Sequence, residues 1–297
     1  MRLLITGGSG LLGSKVAALT VQNGYNTFST YNNHAAIHGA PLKLDICNKR
    51  AVNEAFDKIK PEAIVHAAAL TNVDKCEEDK DLAYKVNVEG TRNIIEASER
   101  HNAFLVYVST DYVFSGEKGM YKETDEPNPI NHYGFTKLEA ENAVEASDTE
   151  WCITRPSVIY GSTPAAGKVN FALWILNKLR NNEPIKIITD QWVSPTLNTS
   201  LAEMILETIE KRHTGIYHLS GATPINRYDF ATKIAETFQL DKKIISKAKS
   251  SDMNWHAKRP RNTSLNVEKA SNTLDKKPLK IEEALNTLKE EISKASE

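Results

Sequence analysis

The sequence predicts an α/β chain built on a doubly wound parallel sheet, and three observations carry that prediction. An apolar opening run, residues 2–6, ends in Gly7-Gly8-Ser9-Gly10-Leu11-Leu12-Gly13 and passes into a helical pattern. Strand-like and helix-like segments then alternate through residue 156, as they do where crossover helices join parallel strands. With 297 residues, 40% hydrophobic and 25% charged, the chain has enough apolar material for one large unit and an added lobe. Together these give a Rossmann-type sheet followed by a smaller C-terminal substrate lobe. Residues 1–156, with parts of the later chain returning to them, form the dinucleotide-binding part, and residues 157–297 mainly form the substrate lobe.

Composition narrows the partners. The formal net charge of −1 gives no footprint for nucleic acid or an anionic membrane. No apolar run reaches the ~18 residues of a spanning helix. Met1 leads at once into a strand with no targeting pattern. Cys47, Cys76 and Cys152 are odd in number and far apart, which fits free thiols in a reducing cytoplasm and no metal site.

Taken in order, the first strand and its glycine turn lead into a helix that stops at Asn23-Gly24, a normal C-terminal signal. The glycines permit a tight turn and close approach of a pyrophosphate to a helix N-terminus, so Gly7, Gly10, Leu11, Leu12 and Gly13 are cofactor candidates. A second strand spans residues 25–31. It ends without the acidic residue that favours NAD and without an Arg or Lys for an NADP phosphate, leaving the cofactor as NADP or NAD. A third strand, residues 42–44, ends at Asp45-Ile46. Asp45 is a candidate for the adenine amino group or a turn residue. Asn48 caps a helix through Ile59. A fourth strand, residues 63–66, is followed by Ala67-Ala68-Ala69, small enough for a flat ligand to lie against the backbone.

Residues 82–100 read as one long helix, with Asn87 inside it either facing solvent, as local preference has it, or steadying the nearby helix or a water. A fifth strand, residues 104–108, delivers Ser109-Thr110-Asp111 at its carboxyl end, where ligands bind in open α/β sheets. Thr110 is there either to meet a substrate or to make a turn. After a loop comes a helix carrying Tyr133 and Lys137, four residues apart and so on one face. An ammonium beside a phenol lowers its pKa from a reference near ~10. A Tyr tuned in that way is a general acid or base. A sixth strand, residues 151–155, ends at Pro156. Beyond it the pattern loosens into helices at 169–179, 197–211, 227–238 and 281–292 and strands at 185–189 and 215–219.

Six motifs in this order resemble the extended short-chain dehydrogenase/reductase superfamily: the glycine turn, Asp45-Ile46, His66 to Ala69, Asn87 to Asn93, Ser109-Thr110-Asp111, and Tyr133 with Lys137. Within it the chain is similar to the dTDP-4-dehydrorhamnose reductase family. The added matches are Tyr112-Val113-Phe114, Asn72 to Glu77, Asp190-Gln191-Trp192-Val193-Ser194-Pro195-Thr196 and Arg259 to Leu265. The resemblance implies a cytoplasmic oxidoreductase using NADP or NAD, NADPH first, to reduce the 4-keto group of a nucleotide sugar, with a homodimer as the possible assembly. It assigns Tyr133 as proton donor and Lys137 as the group that lowers its pKa and holds the nicotinamide ribose. Thr110 then polarises the carbonyl, and Asp111 contacts the sugar or is a turn residue. Arg259 and Arg261 are candidates for the diphosphate, since Arg forks match phosphate oxygens, or form a solvated basic loop with Lys258. Trp192 packs in the lobe. Two departures stand out. Val158 occupies the place of a family Trp, and Lys15 that of a Glu which in some members helps bind Mg. The regulatory β subunit of methionine adenosyltransferase keeps the same Tyr and Lys, so a noncatalytic NADP-binding role is the competing expectation. An epimerase would also share the scaffold.

Overall fold

The computed structural model describes residues 1–165 and 168–295. The first half alternates β1 (Arg2–Thr6), α1 (Leu11–Gln22), β2 (Asn26–Tyr31), β3 (Ala40–Lys43), α2 (Lys49–Ile59) and β4 (Ala63–His66). There follow α3 (Val73–Glu78), α4 (Lys80–Tyr84), a π-helical turn (Lys85–Glu89), α5 (Gly90–His101), β5 (Phe104–Val108), α6 (His132–Glu145) and β6 (Trp151–Thr154). The second half adds β7 (Ser157–Tyr160), α7 (Phe171–Arg180), β8 (Ile185–Ile188), β9 (Trp192–Val193), β10 (Pro195–Leu197), α8 (Asn198–Glu210) and β11 (Gly215–Tyr217). It closes with β12 (Ile225–Asn226), α9 (Arg227–Thr237), β13 (Ile245–Ala248), α10 (Glu268–Thr273) and α11 (Ile281–Lys294).

Seven strands form one parallel sheet in the order β11-β6-β5-β4-β1-β2-β3. Strand order reverses between β1 and β4, so a crevice opens there above the carboxyl ends. The edge strand β11 comes from the second half of the chain and pairs with β6.

Alternation along each strand separates two cores, because successive side chains point to opposite faces. Leu3, Ile5, Phe104 and Val106 pack with α1 and α8 on one face, while Leu4, Leu105 and Tyr107 pack with α2, α5 and α6 on the other. A third core joins α7, α9 and α11 to the small parallel pair β8 and β13. The short strands β7, β9, β10, β12 and β13 were not expected from sequence, since segments of two to four residues carry too little periodicity to read.

The expected long helix over residues 82–100 is corrected. It is interrupted by the π turn Lys85–Glu89, which has the same residue types as an α-helix but a wider ladder. Asn87 is therefore buried and not on the solvent face: 1% of its surface is exposed. No helix among the described residues is long and apolar enough to cross a membrane.

Candidate functional site

A groove of about 760 Å³ runs along the carboxyl ends of the sheet. It brings together the predicted Gly7, Gly10, Leu11, Leu12, Gly13, Asp45, Ile46, Ala67, Ala68, Ala69, Thr110, Asp111, Tyr133 and Lys137. At the glycine end, Gly7 has φ +69°, and a Cβ there would lie 2.9 Å from the Ala68 nitrogen. A Cβ on Gly13 would lie 2.2 Å from the Gly7 carbonyl oxygen, so only glycine lets the turn close on the helix. Helix α1 begins at Gly10 with no side-chain cap and no acidic residue in its first turn. Its first N–H groups and the positive end of its dipole are thus offered to an anion. That donor set fits a dinucleotide pyrophosphate.

On the side of β2 and β3 the groove is lined by Tyr31, Asn32, Asn33 and His34 after β2 and by Asp45 after β3. Asp45 also closes a turn, accepting a hydrogen bond from the Cys47 N–H at 2.9 Å. Asp45 thus makes the turn contact and also lines the groove.

At the other end, α6 is held from its first turn. Asn131 caps it by accepting from the Gly134 N–H at 2.9 Å, and Glu77 accepts from the His132 N–H at 2.9 Å. Asn87 ties the helix to the groove wall. Its amide donates to the Thr136 hydroxyl at 3.0 Å and to the Leu70 carbonyl at 3.2 Å, and its oxygen accepts from the Leu70 N–H at 2.8 Å. Thr136 lies between Tyr133 and Lys137, so the π turn positions the helix that carries both.

Tyr133 is buried, and its ring meets Tyr112 edge-on at 5.9 Å. Burial pushes its phenol well above the ordinary value of 10.0. A hydrogen bond with Thr110 pulls the other way, and the Asp111 charge adds to the rise. The expected lowering by Lys137 is therefore corrected. The Lys137 ammonium instead donates to the Val108 carbonyl at 2.8 Å and sits 4.2 Å from the centre of the Tyr107 ring. Burial lowers the Lys137 pKa to about 7, against a partial pull upward from Glu141.

Thr110 and Asp111 share a polar knot. The Asp111 carboxylate accepts from Thr263 at 2.5 Å, Ser157 at 2.7 Å and Thr110 at 3.1 Å. Asp111, expected to contact the sugar, thus has its oxygens engaged by three hydroxyls and anchors β7 and the 263 segment to the groove. Burial raises its pKa, and those hydroxyls oppose the rise.

One turn beyond Lys137, Glu141 pairs with Arg155 at 2.6 Å, with 0% and 2% of their side chains exposed. Removing one partner of such a pair strands a buried charge. Glu141→Ala is expected to lower stability by about 3–5 kcal/mol in chemical denaturation. A Glu141→Met/Arg155→Met double variant should recover much of that loss.

Arg259 does not reach the groove. It pairs with Asp74 at 2.8 Å and lines a second cavity of about 270 Å³ with Tyr112, Phe171, Trp174, Gln191, Arg227 and Trp255. Asp74 also accepts from the His256 and Ala257 N–H groups, so the resembled Asn72 to Glu77 segment works as a clamp on the 256–259 loop. Arg227 was missed. It donates to the Gln191 side chain at 3.0 Å and lies 5.1 Å from the Phe171 ring centre. Nothing local marks it, since it opens α9 like any polar first-turn residue. The cavity begins one ring from the phenol, because Tyr112 lines it and touches Tyr133. Arg261 is exposed, and Trp192, expected to pack, is 40% exposed; there the backbone makes the contacts, with Arg261 and Thr263.

A family model described as RmlD substrate binding domain matches residues 1–294. The chain belongs to that family. It is 34% identical over 300 aligned positions to dTDP-4-dehydrorhamnose reductase of Aggregatibacter actinomycetemcomitans, covering 97% of this chain and 98% of the relative. It matches the structure of dTDP-4-dehydrorhamnose reductase from Bacillus anthracis, solved in complex with NADP, at TM-score 0.87 and 31% identity, over 98% of this chain and 99% of that one. Methionine adenosyltransferase 2 subunit beta of Bos taurus is 31% identical over 90% of this chain and 81% of its own length. The sheet and helix order of the RmlD fold are those described above.

Proposed function

We propose that this protein is an NAD(P)H-dependent oxidoreductase that reduces the 4-keto group of a nucleotide sugar, converting dTDP-4-dehydro-L-rhamnose to dTDP-L-rhamnose. The observation that carries it is a single groove with Thr110, Tyr133 and Lys137 at one end and an uncapped glycine turn at the other. The relatives named as reductases support the same activity.

A bound nicotinamide supplies the hydride. Tyr133, kept protonated by its burial, gives its proton to the oxygen that becomes an alkoxide, a stronger base than phenolate. Thr110 turns its hydroxyl from Asp111 to that oxygen. Its bond to Asp111, at 3.1 Å, is the longest of the three, and Thr263 and Ser157 keep the carboxylate satisfied. Lys137, held at the groove wall by the Val108 carbonyl, supplies a cationic donor for the nicotinamide ribose. Arg227 and Arg259 in the second cavity suit a diphosphate, and the rings of Phe171, Trp174 and Trp255 suit a flat base. The relative solved in complex with NADP supports NADPH as the first cofactor.

The test is absorbance of the reduced cofactor during incubation with dTDP-4-dehydro-L-rhamnose. Oxidation is expected with both cofactors, with the lower KM for NADPH. Tight NADPH binding without turnover would instead place the protein with the methionine adenosyltransferase subunits.

A further inference from the structure

The first turn of α6, which carries Tyr133, belongs to a closed ring of hydrogen bonds that runs through two other parts of the chain. Glu77 of α3 accepts from the His132 N–H at 2.9 Å. Asn131, the α6 cap, donates from its side chain to the Lys258 carbonyl at 2.9 Å. Asp74 of α3 closes the ring. One of its oxygens accepts from the His256 and Ala257 N–H groups at 3.1 and 3.0 Å, and the other accepts from Arg259 at 2.8 Å. The helix α3, the 256–259 loop and α6 are thus each bonded to the other two.

Neither α3 nor the loop is rigid by itself. Helix α3 has only six residues, too few to hold together without outside contacts, and the loop contains no helix or strand. Their ties therefore set their positions. Asp74 and Glu77, three apart, share one face of α3 and make the polar ties. Val73 and Cys76 share another and pack in one cluster with the rings of Tyr112 and Tyr133. Arg259 is the member of the ring that reaches outward, since it lines the second cavity. Its terminal nitrogens are held by Asp74 and by the Ala257 carbonyl, the latter at 3.0 Å, and its guanidinium lies 5.2 Å from the Trp255 ring centre. A guanidinium carries its donors in a planar fork, so it can serve Asp74 and a phosphate at once. A phosphate seated there would immobilise Arg259, and through Asp74 the loop and α3.

We propose that Asp74 is a positioning residue that transmits diphosphate binding in the second cavity to the first turn of α6, so that Tyr133 is fully ordered only with a nucleotide bound. The inference rests on the nucleotide-sugar reading of that cavity. Binding of the non-reacting part of the substrate then orients the proton donor at the reacting carbon. The coupling is reciprocal: a variant that loosens α6 also weakens nucleotide binding.

The experiment follows backbone hydrogen exchange at residues 132–136 in the NADPH-bound protein, with and without dTDP, in wild type and Asp74→Asn. Asparagine keeps an acceptor for the two loop N–H groups, but its amide nitrogen cannot accept from Arg259. In wild type dTDP is expected to slow this exchange by about 5-fold or more, the lower end of ordinary coupling between sites. In Asp74→Asn saturating dTDP should no longer slow it, and kcat should fall by about 5–150-fold at unchanged NADPH affinity. The double variant Asp74→Asn/Arg259→Met should lose no more kcat than the worse single variant, because both changes break one link. Bound dTDP that leaves wild-type exchange unchanged overturns the coupling while the reductase reading stands, and this arm needs no variant to fold. Slowing that persists in Asp74→Asn, or kcat losses that multiply in the double variant, overturns the role of Asp74. Wild-type protein that binds no dTDP overturns the nucleotide reading of the cavity, and the coupling goes with it.

Discussion

Replacing Tyr133 with Phe is expected to cut kcat by about 10²–10⁴-fold, the usual worth of a positioned general acid. NADPH affinity should hold, because the ring and its edge-on contact with Tyr112 remain while only the hydroxyl is lost. Steady-state kinetics and a cofactor titration on one preparation check both halves. The structure also sets the pH behaviour. Since burial pushes the Tyr133 phenol up, its proton stays in place throughout the neutral range. The alkaline limb of wild-type kcat/KM is therefore expected to follow Lys137, whose pKa burial lowers to about 7. Activity falls as pH rises through that value, because the neutral amine no longer holds the cofactor ribose as a charged donor. A limb that moves in a Lys137 variant supports this assignment; one that stays in place opposes it.

Replacing Lys137 with Met is expected to abolish turnover and stabilise the cofactor-free protein. The folded-state pKa of about 7 lies below the ordinary 10.5, so between those values the unfolded chain binds a proton that the folded chain refuses. Stability therefore rises with pH across this window, is full above 10.5 and is lost as pH falls to 7. Methionine avoids that penalty but leaves the Val108 carbonyl without its donor, a loss of about 1–3 kcal/mol. The net gain at pH 7 is on the order of 2 kcal/mol, and it turns into a loss of about 1 kcal/mol by about pH 10. Denaturant titrations at the two pH values measure it. A Lys137→Met variant less stable than wild type at pH 7 would contradict the burial argument. An inactive but sturdier variant is the usual trade between activity and stability at a functional site.

What could be read without coordinates follows from the length and regularity of each signal. The strand, glycine turn and helix of residues 2–22 have a periodicity and a steric logic that neighbours cannot override. The alternation of β5 specifies which side chains meet α8 and which meet α5, and it brings Thr110 to a carboxyl end. Sequence spacing also put Tyr133 and Lys137 on one helical face. It did not show that both would be buried, and burial reversed the sign expected for the phenol. The π turn was hidden because Asn87 reads locally as a poor helix residue, while its three hydrogen bonds come from Leu70 and Thr136, far along the chain. Arg227 reaches the second cavity only because α9 packs beside β8 and α7, a tertiary fact with no local trace.

The most direct test is a structure of the protein with NADP and the 4-keto nucleotide sugar in a Tyr133→Phe background, which prevents turnover. The account predicts the pyrophosphate against the N-terminus of α1 and the sugar carbonyl oxygen within hydrogen-bond distance of the Thr110 hydroxyl. Position 133 should lie next to that oxygen, with the diphosphate between Arg227 and Arg259. A sugar bound outside the Thr110–Tyr133–Lys137 end of the groove, or a cofactor lying away from the glycine turn, would contradict it.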